Sequence, residues 1–441
     1  MPSADSDAIR AAAAFDAGNL PLAEAYARAA LDLDAHHAPA WTTLGRVAHA
    51  LTRDDLAHAC FAAALKAQPY FEPARAAHAI LVAREEAAAA AASNGNAAAV
   101  GVNAGASNSP VAPRLLLIRA WGHGFFADVD HVLGQLLVAE ATHRTPLVHW
   151  GEESLFRAPT DGPRDSAWGH FFAPINPGAA AQVSSALDIS PPSWLDRDPF
   201  GPIPDRWHGP HARRSGLYTF AASAPLVISD FHTAVSTLRA WLPPSHPLHG
   251  ATLLQAYRQT IARWLRPRAE IQASAEAFAA RHFAGAPVIA AHIRALDKHG
   301  EFPDLVATIR GVLQRIEAAL GADATLKVFL MSDWAEVIAH LGAKFPGRII
   351  STPSVRGSSA PTSRAITQGI HMARAAPGDQ LGREVLTDAL IACRCGAFLG
   401  MGPSTVSCMI EYFVPWPEGT CILVGKHQTS QHNFALWGAR G

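Results

Sequence analysis

The chain has 441 residues, enough for about three units at one domain per ~150 residues. Lys plus Arg number 36 against 37 Asp plus Glu, a net charge of -1. That balance excludes the basic footprint of a nucleic-acid binder and the polybasic patch of an anionic-membrane binder. Hydrophobic residues reach 49%, and 11 Trp with 19 Phe can fill a large core, so wholesale disorder is excluded as well.

The N-terminal residues MPSADSDAIR lack the basic-then-apolar layout of a secretory signal, and no apolar run reaches the about 18 residues of a spanning helix. The expected setting is cytoplasmic. Five cysteines (Cys60, Cys393, Cys395, Cys408, Cys421) are too few and too scattered for a disulfide framework. Cys393 and Cys395 have no second pair to complete a zinc site, so reduced structural thiols are expected.

In chain order, Trp41-Thr-Thr-Leu44-Gly45 is similar to the opening of a tetratricopeptide repeat, with Ala57, Phe61, Ala64 and Pro69 at the matching offsets. Ala23 and Ala30 stand 34 residues before Ala57 and Ala64. Two repeats are expected, over 7–40 and 41–74, with an end helix over Arg75 to Glu86. Such a module either packs and self-associates or offers a groove to a partner protein or acceptor. Residues 87–113 carry no charge and no aromatic side chain and read as a flexible linker, after an all-α domain over 1–86.

Beyond Arg114, apolar runs alternate with helical stretches. Strands are expected at Leu115 to Ile118, Pro146 to Trp150, Leu226 to Ser229, Val288 to Ile293, Lys327 to Met331, Arg348 to Ser351, Ala397 to Leu399 and Cys421 to Val424. Helices are expected at Asp128 to Thr142 and through Leu253 to Ala280. This alternation predicts α/β architecture with parallel sheets, split between 114–280 and 281–441, and ligands at strand C-terminal ends.

Three strand ends stand out. Gly122 and Gly124, before Phe125, permit a tight turn that brings backbone amides to a ligand; a turn that merely needs positive φ reads the same way. His292, Arg294, Asp297, Lys298 and Glu301 crowd the end of the Val288 strand, where five polar groups need a ligand or one another. Arg294 offers the planar fork that fits phosphate, and Glu301 suits a general base; a surface ion-pair cluster is the alternative. At Gly400 to Ser407, Ser404 suits an N-cap, and the amides of Thr405 and Val406 face outward as a phosphate site or as an ordinary helix start. His208/His211 and His246/His249 are spaced like metal ligands but lack carboxylate or Cys partners, so loop hydrogen bonding is expected and no metal.

Together these segments resemble the GDP-fucose-dependent fucosyltransferases, in particular the α1,6-fucosyltransferases and nodulation fucosyltransferases. The motif H-x-R-R-x-D-K of that family is similar to His292-Ile-Arg294-Ala295-Leu-Asp297-Lys298. Its second motif resembles Val328 to Asp333 and its third Phe398 to Ser407, while Gly122 to His131, with Arg144-Thr-Pro-Leu-Val downstream, is similar to its glycine-rich turn and helix. The resemblance spans 114–437. It implies a GT-B-like pair of Rossmann-type layers, with 114–280 on the acceptor side and 281–441 holding the nucleotide sugar. It further implies Arg294 on the β-phosphate, His292 and Asp333 near the guanosine, Ser404 and Thr405 on phosphate oxygens, and Glu301 as base, with Lys298 beside it. Asp297, Gly122, Gly124 and Phe125 complete the implied donor site. The sequence departs from the family at Ala295, where a second Arg is usual, at Trp334, where an acidic residue is common, and in a Lys-to-Glu spacing one residue shorter.

The function implied is an inverting, metal-independent glycosyltransferase with no cofactor, moving fucose from GDP-fucose to a glycan such as a surface polysaccharide. Another nucleotide sugar, or an inert adaptor recruiting partners through the repeats, are the alternatives. The joint presence of Arg294, Asp297, Lys298 and Glu301 argues against the adaptor.

Overall fold

The structure, a computed structural model, describes residues 3–51, 53–95, 114–183, 188–190, 194, 197–203, 224–229, 233–238, 242, 245–283, 285–296, 304–358 and 375–427. The N-terminal part is all α: α1 (Ala4–Asp16), α2 (Leu20–Leu33), α3 (Ala38–Ala50), α4 (Asp54–Ala67) and α5 (Glu72–Gly95). The side chain of Ser3 caps α1 and that of Asn19 caps α2, each accepting a first-turn amide. Helices α3 and α4 begin 34 residues after α1 and α2, the expected period. Ala23, Ala30, Ala57 and Ala64 are all fully buried, so small side chains let the helices of each hairpin approach. The Phe61 ring occupies the place a side chain at Gly45 would need, with its Cε1 2.4 Å from where a Cβ would stand.

Helix α5 differs from expectation. It runs on to Gly95, into the segment read as linker. The run of alanines there has the strongest intrinsic preference for helix, which outweighs the lack of any apolar stripe. The rest of the expected linker, 96–113, lies outside the described residues.

Two parallel sheets follow. The first has β1 (Leu115–Arg119), β2 (Thr145–His149), β3 (Ile189–Ser190) and β4 (Leu226–Ile228) in the order β2-β1-β4-β3. The second has β5 (Val288–Ile293), β6 (Lys327–Ser332), β7 (Ile349–Ile350), β8 (Ala397–Met401) and β9 (Cys421–Val424) in the order β7-β6-β5-β8-β9. Every pairing among them is parallel, which explains the unbroken apolar runs of β1 and β5: both faces are covered. The remaining helices are α6 (Phe125–Ala141), α7 (Val235–Leu238), α8 (Leu253–Trp264), α9 (Ala269–Phe283), α10 (Leu305–Ala322), α11 (Ala335–Lys344), α12 (Gly378–Ala392) and α13 (Thr405–Phe413). The second sheet has the doubly wound arrangement: β6 and β7 lie to one side of β5, β8 and β9 to the other.

Aromatic packing joins the two sheets' helices. The Phe126 ring of α6 meets Phe413 of α13, and α12 approaches so closely that a Cβ at Gly382 would strike Phe171. Tyr257 of α8 stacks on Tyr412 of α13, centroids 3.9 Å apart, while its hydroxyl donates to Asp130 of α6 at 2.8 Å. Burial raises the Asp130 carboxyl to about 7, against the opposing pull of its hydrogen bonds from Tyr257 and Val235. The folded chain therefore keeps a proton that the unfolded chain has lost, and this group costs stability as pH rises from about 4 to about 7. Asp130→Asn keeps an acceptor oxygen without the charge. Its melting temperature is expected to match the parent's at about pH 4 and to exceed it at pH 8, a gain in stability on the order of a few kcal/mol at most. Parallel pH profiles for the two proteins would show that the carboxyl is not held protonated.

Candidate active site

In a doubly wound sheet the ligand crevice opens where the strand order reverses, here between the C-terminal ends of β5 and β8. His292 is the penultimate residue of β5, and Arg294 follows the strand directly. The Arg294 guanidinium is 16% exposed and pairs with Asp333, just past β6, at 2.9 Å. Asp333 also accepts the Ala295 amide (2.9 Å) and the Leu296 amide (3.3 Å). One buried carboxylate therefore both folds the loop after β5 and holds its arginine. The contacts of Asp333, which the resemblance sets near a guanosine, are thus with Arg294 and the amides of its loop. A guanidinium carries five N–H donors in a planar fork that fits carboxylate and phosphate oxygens.

His292 is buried, with Nδ1 2.8 Å from the Ser407 Oγ of α13. Burial, then the nearby Arg294 charge, pushes the ring down to about 3, so it is neutral at physiological pH. The backbone amide of Arg294 donates to the Met401 sulfur at 3.1 Å, tying the β5 end to β8. Met401 opens the turn into α13, where Ser404 takes an extended N-cap conformation but makes no side-chain cap bond. The Ser404 amide donates to the Met401 carbonyl and its carbonyl accepts from the Cys408 amide, while the Ser407 hydroxyl accepts the Met401 amide across the same turn. Thr405 is half-buried at the first position of α13. The positive end of that helix thus sits beside the end of β5, an arrangement suited to anions.

The glycine-rich turn behaves differently. Gly122 has φ +78°, a conformation that favours glycine. The amides of Gly122 and His123, expected to face a ligand, donate instead to Asp128, at 3.0 and 3.1 Å. Gly124 is the N-cap of α6, which starts at Phe125 rather than at the expected Asp128. The Phe125 ring lies in the core against Phe126, Trp150, Phe156 and Phe171. Of this group, then, the structure uses Gly122, Gly124 and Phe125 to build the turn and its packing.

Asp297, Lys298 and Glu301 lie outside the described residues, as do His208 and His211. His246 uses both ring nitrogens locally, one near Glu140 at 3.1 Å and the other accepting the Leu248 amide; His249 bonds the Leu242 carbonyl. All five cysteines are free, and burial pushes the thiols of Cys393, Cys395 and Cys421 up to about 12, protonated at neutral pH. Among the described residues no group of three or more His, Cys, Asp or Glu is placed to hold a metal, and no helix is long and apolar enough to cross a membrane. Sequence reasoning missed Ser407, which looks like any first-turn helix serine.

No family model matches the chain, and no curated protein matches it. Solved structures similar to it include NodZ alpha-1,6-fucosyltransferase co-crystallized with GDP, at 19% identity and TM-score 0.42, covering 69% of this chain and 94% of that one. Fucosyltransferase NodZ from Bradyrhizobium matches at 18% identity and TM-score 0.44, covering 69% and 95%. POFUT1 in complex with GDP-fucose matches at 15% identity and TM-score 0.37, covering 70% and 98%. GDP and GDP-fucose are ligands of those proteins.

Proposed function

We propose that the chain is a glycosyltransferase of GT-B-like architecture that takes a GDP-sugar, GDP-fucose first, as donor and a glycan as acceptor. One observation carries the reading. The end of β5, carrying His292 and Arg294 of the first motif, is joined by the His292–Ser407 and Arg294–Met401 contacts to the turn and helix that carry Ser404 and Thr405 of the third. This junction lies at the reversal point of the second sheet, where a doubly wound fold binds its ligand.

In this reading the diphosphate lies against Arg294 and the α13 N-terminus, which stabilise the charge of the departing GDP. Glu301 takes the proton of the acceptor hydroxyl as it attacks the anomeric carbon, and the configuration inverts. Asp297 and Lys298, between Arg294 and Glu301 in the sequence, complete the donor side of the site. The paired hairpins α1–α4 are tetratricopeptide-like repeats that meet a protein partner, the acceptor or a second copy.

Thermal unfolding with GDP, GDP-fucose, GDP-mannose and UDP-sugars tests the donor class, because a ligand bound only to the native state raises its melting temperature. GDP and GDP-fucose are expected to raise it by about 2.7 kcal/mol of stabilisation at a hundredfold excess over the dissociation constant. A shift with UDP-sugars alone would overturn the GDP assignment.

A further inference from the structure

The His292–Ser407 contact fixes more than a distance. Ser407 is fully buried; its Oγ accepts the Met401 amide at 2.9 Å and lies 2.8 Å from His292 Nδ1, and among the described residues it has no third partner. Two arrangements fit. If Nδ1 carried the hydrogen and donated to Ser407, the serine hydroxyl hydrogen would be sealed away as a buried donor without an acceptor. If the hydroxyl donates to Nδ1, the amide, the hydroxyl and the ring nitrogen are all satisfied. A neutral imidazole that accepts at Nδ1 carries its hydrogen on Nε2. That Nε2 has no partner among the described residues, and His292 keeps 5% exposure at the end of β5.

We propose that Ser407 is a positioning residue: it holds His292 as the Nε2–H tautomer, so that the ring presents a hydrogen-bond donor to an acceptor oxygen of the donor nucleotide. The proposal rests on the GDP-sugar reading of this site. Its consequence is selective. A ligand that offers an N–H at that point would face the His292 N–H donor to donor, leaving both unsatisfied. Serine supports the ring from a helix whose N-terminus belongs to the same crevice, so ring orientation and anion site move as one unit.

Two measurements on the full chain test it. Long-range proton–nitrogen spectra of histidine-labelled protein without ligand distinguish the tautomers, and the parent is expected to show His292 with Nε2 protonated. Calorimetric GDP titration of the parent, Ser407→Ala, His292→Ala and the double variant then reads the coupling. Each single variant is expected to bind about tenfold more weakly, and the double no more weakly than His292→Ala alone. Ser407→Ala also strips the Met401 amide of its acceptor, so its melting temperature is read alongside. A lower melting temperature with parent-like GDP affinity, additive losses, or an Nδ1–H tautomer in the parent would overturn the proposal. Should the parent bind no GDP, the donor reading falls, while the tautomer spectrum still decides what Ser407 does.

Discussion

Arg294→Ala is expected to weaken GDP binding and transfer together, with transfer falling roughly 30- to 1000-fold. The range corresponds to about 2–4 kcal/mol for one charge-assisted interaction lost from a water-poor site. The geometry explains why both quantities should move. Arg294 is held at the end of β5 by Asp333, so its position is set before any ligand arrives, and a preformed cation acts on bound donor and departing diphosphate alike. The fold is expected to survive the change, because Asp333 still accepts the Ala295 and Leu296 amides that shape the loop. Unfolding curves control for that, since the variant leaves a buried carboxylate without its cation. GDP titration and donor-hydrolysis rates give the two readings, and an Arg294→Ala protein that binds and transfers like the parent would remove the nucleotide site from this crevice.

What the sequence made legible follows from how far each feature depends on distant contacts. Strands β1, β5, β6 and β8 announce themselves because a parallel strand covered on both faces needs a nearly continuous apolar run, with polar residues only near its ends. The two-residue β3 has no such signature; Ile189 and Ser190 are a strand only because β4 lies beside them. The start of α6 was misplaced for a related reason. The Asp128 carboxylate reaches back to the Gly122 and His123 amides from inside the first turn, a contact that no local pattern shows. His292 and Arg294 were visible as polar groups stranded at the end of an apolar run. Ser407 was not, since its contact with His292 spans 115 residues and exists only once β5 and β8 are paired. The contacts of Asp333 with two amides and a guanidinium were equally out of view, because they form only when the ends of β5 and β6 lie side by side.

Glu301→Gln is expected to lower transfer by about a hundredfold or more while leaving GDP affinity near that of the parent. The residue stands three positions after Lys298 and seven after Arg294 in the sequence, and the motif resemblance gives it the role of base. Glutamine keeps the size and a carbonyl oxygen but cannot take a proton from the acceptor hydroxyl. GDP has no such hydroxyl to activate, so its binding has no reason to change; the loss belongs to the chemical step alone. That separates Glu301 from Arg294, whose removal is expected to weaken both. The pH profile supplies a second reading. A carboxylate base works only when ionised, so the parent's transfer rate should fall on the acid side through the pKa of that group, and Glu301→Gln should lack that limb. Normal turnover in Glu301→Gln, or an acid limb retained at the parent's position, would assign the proton transfer to another residue and leave the Arg294 site untouched.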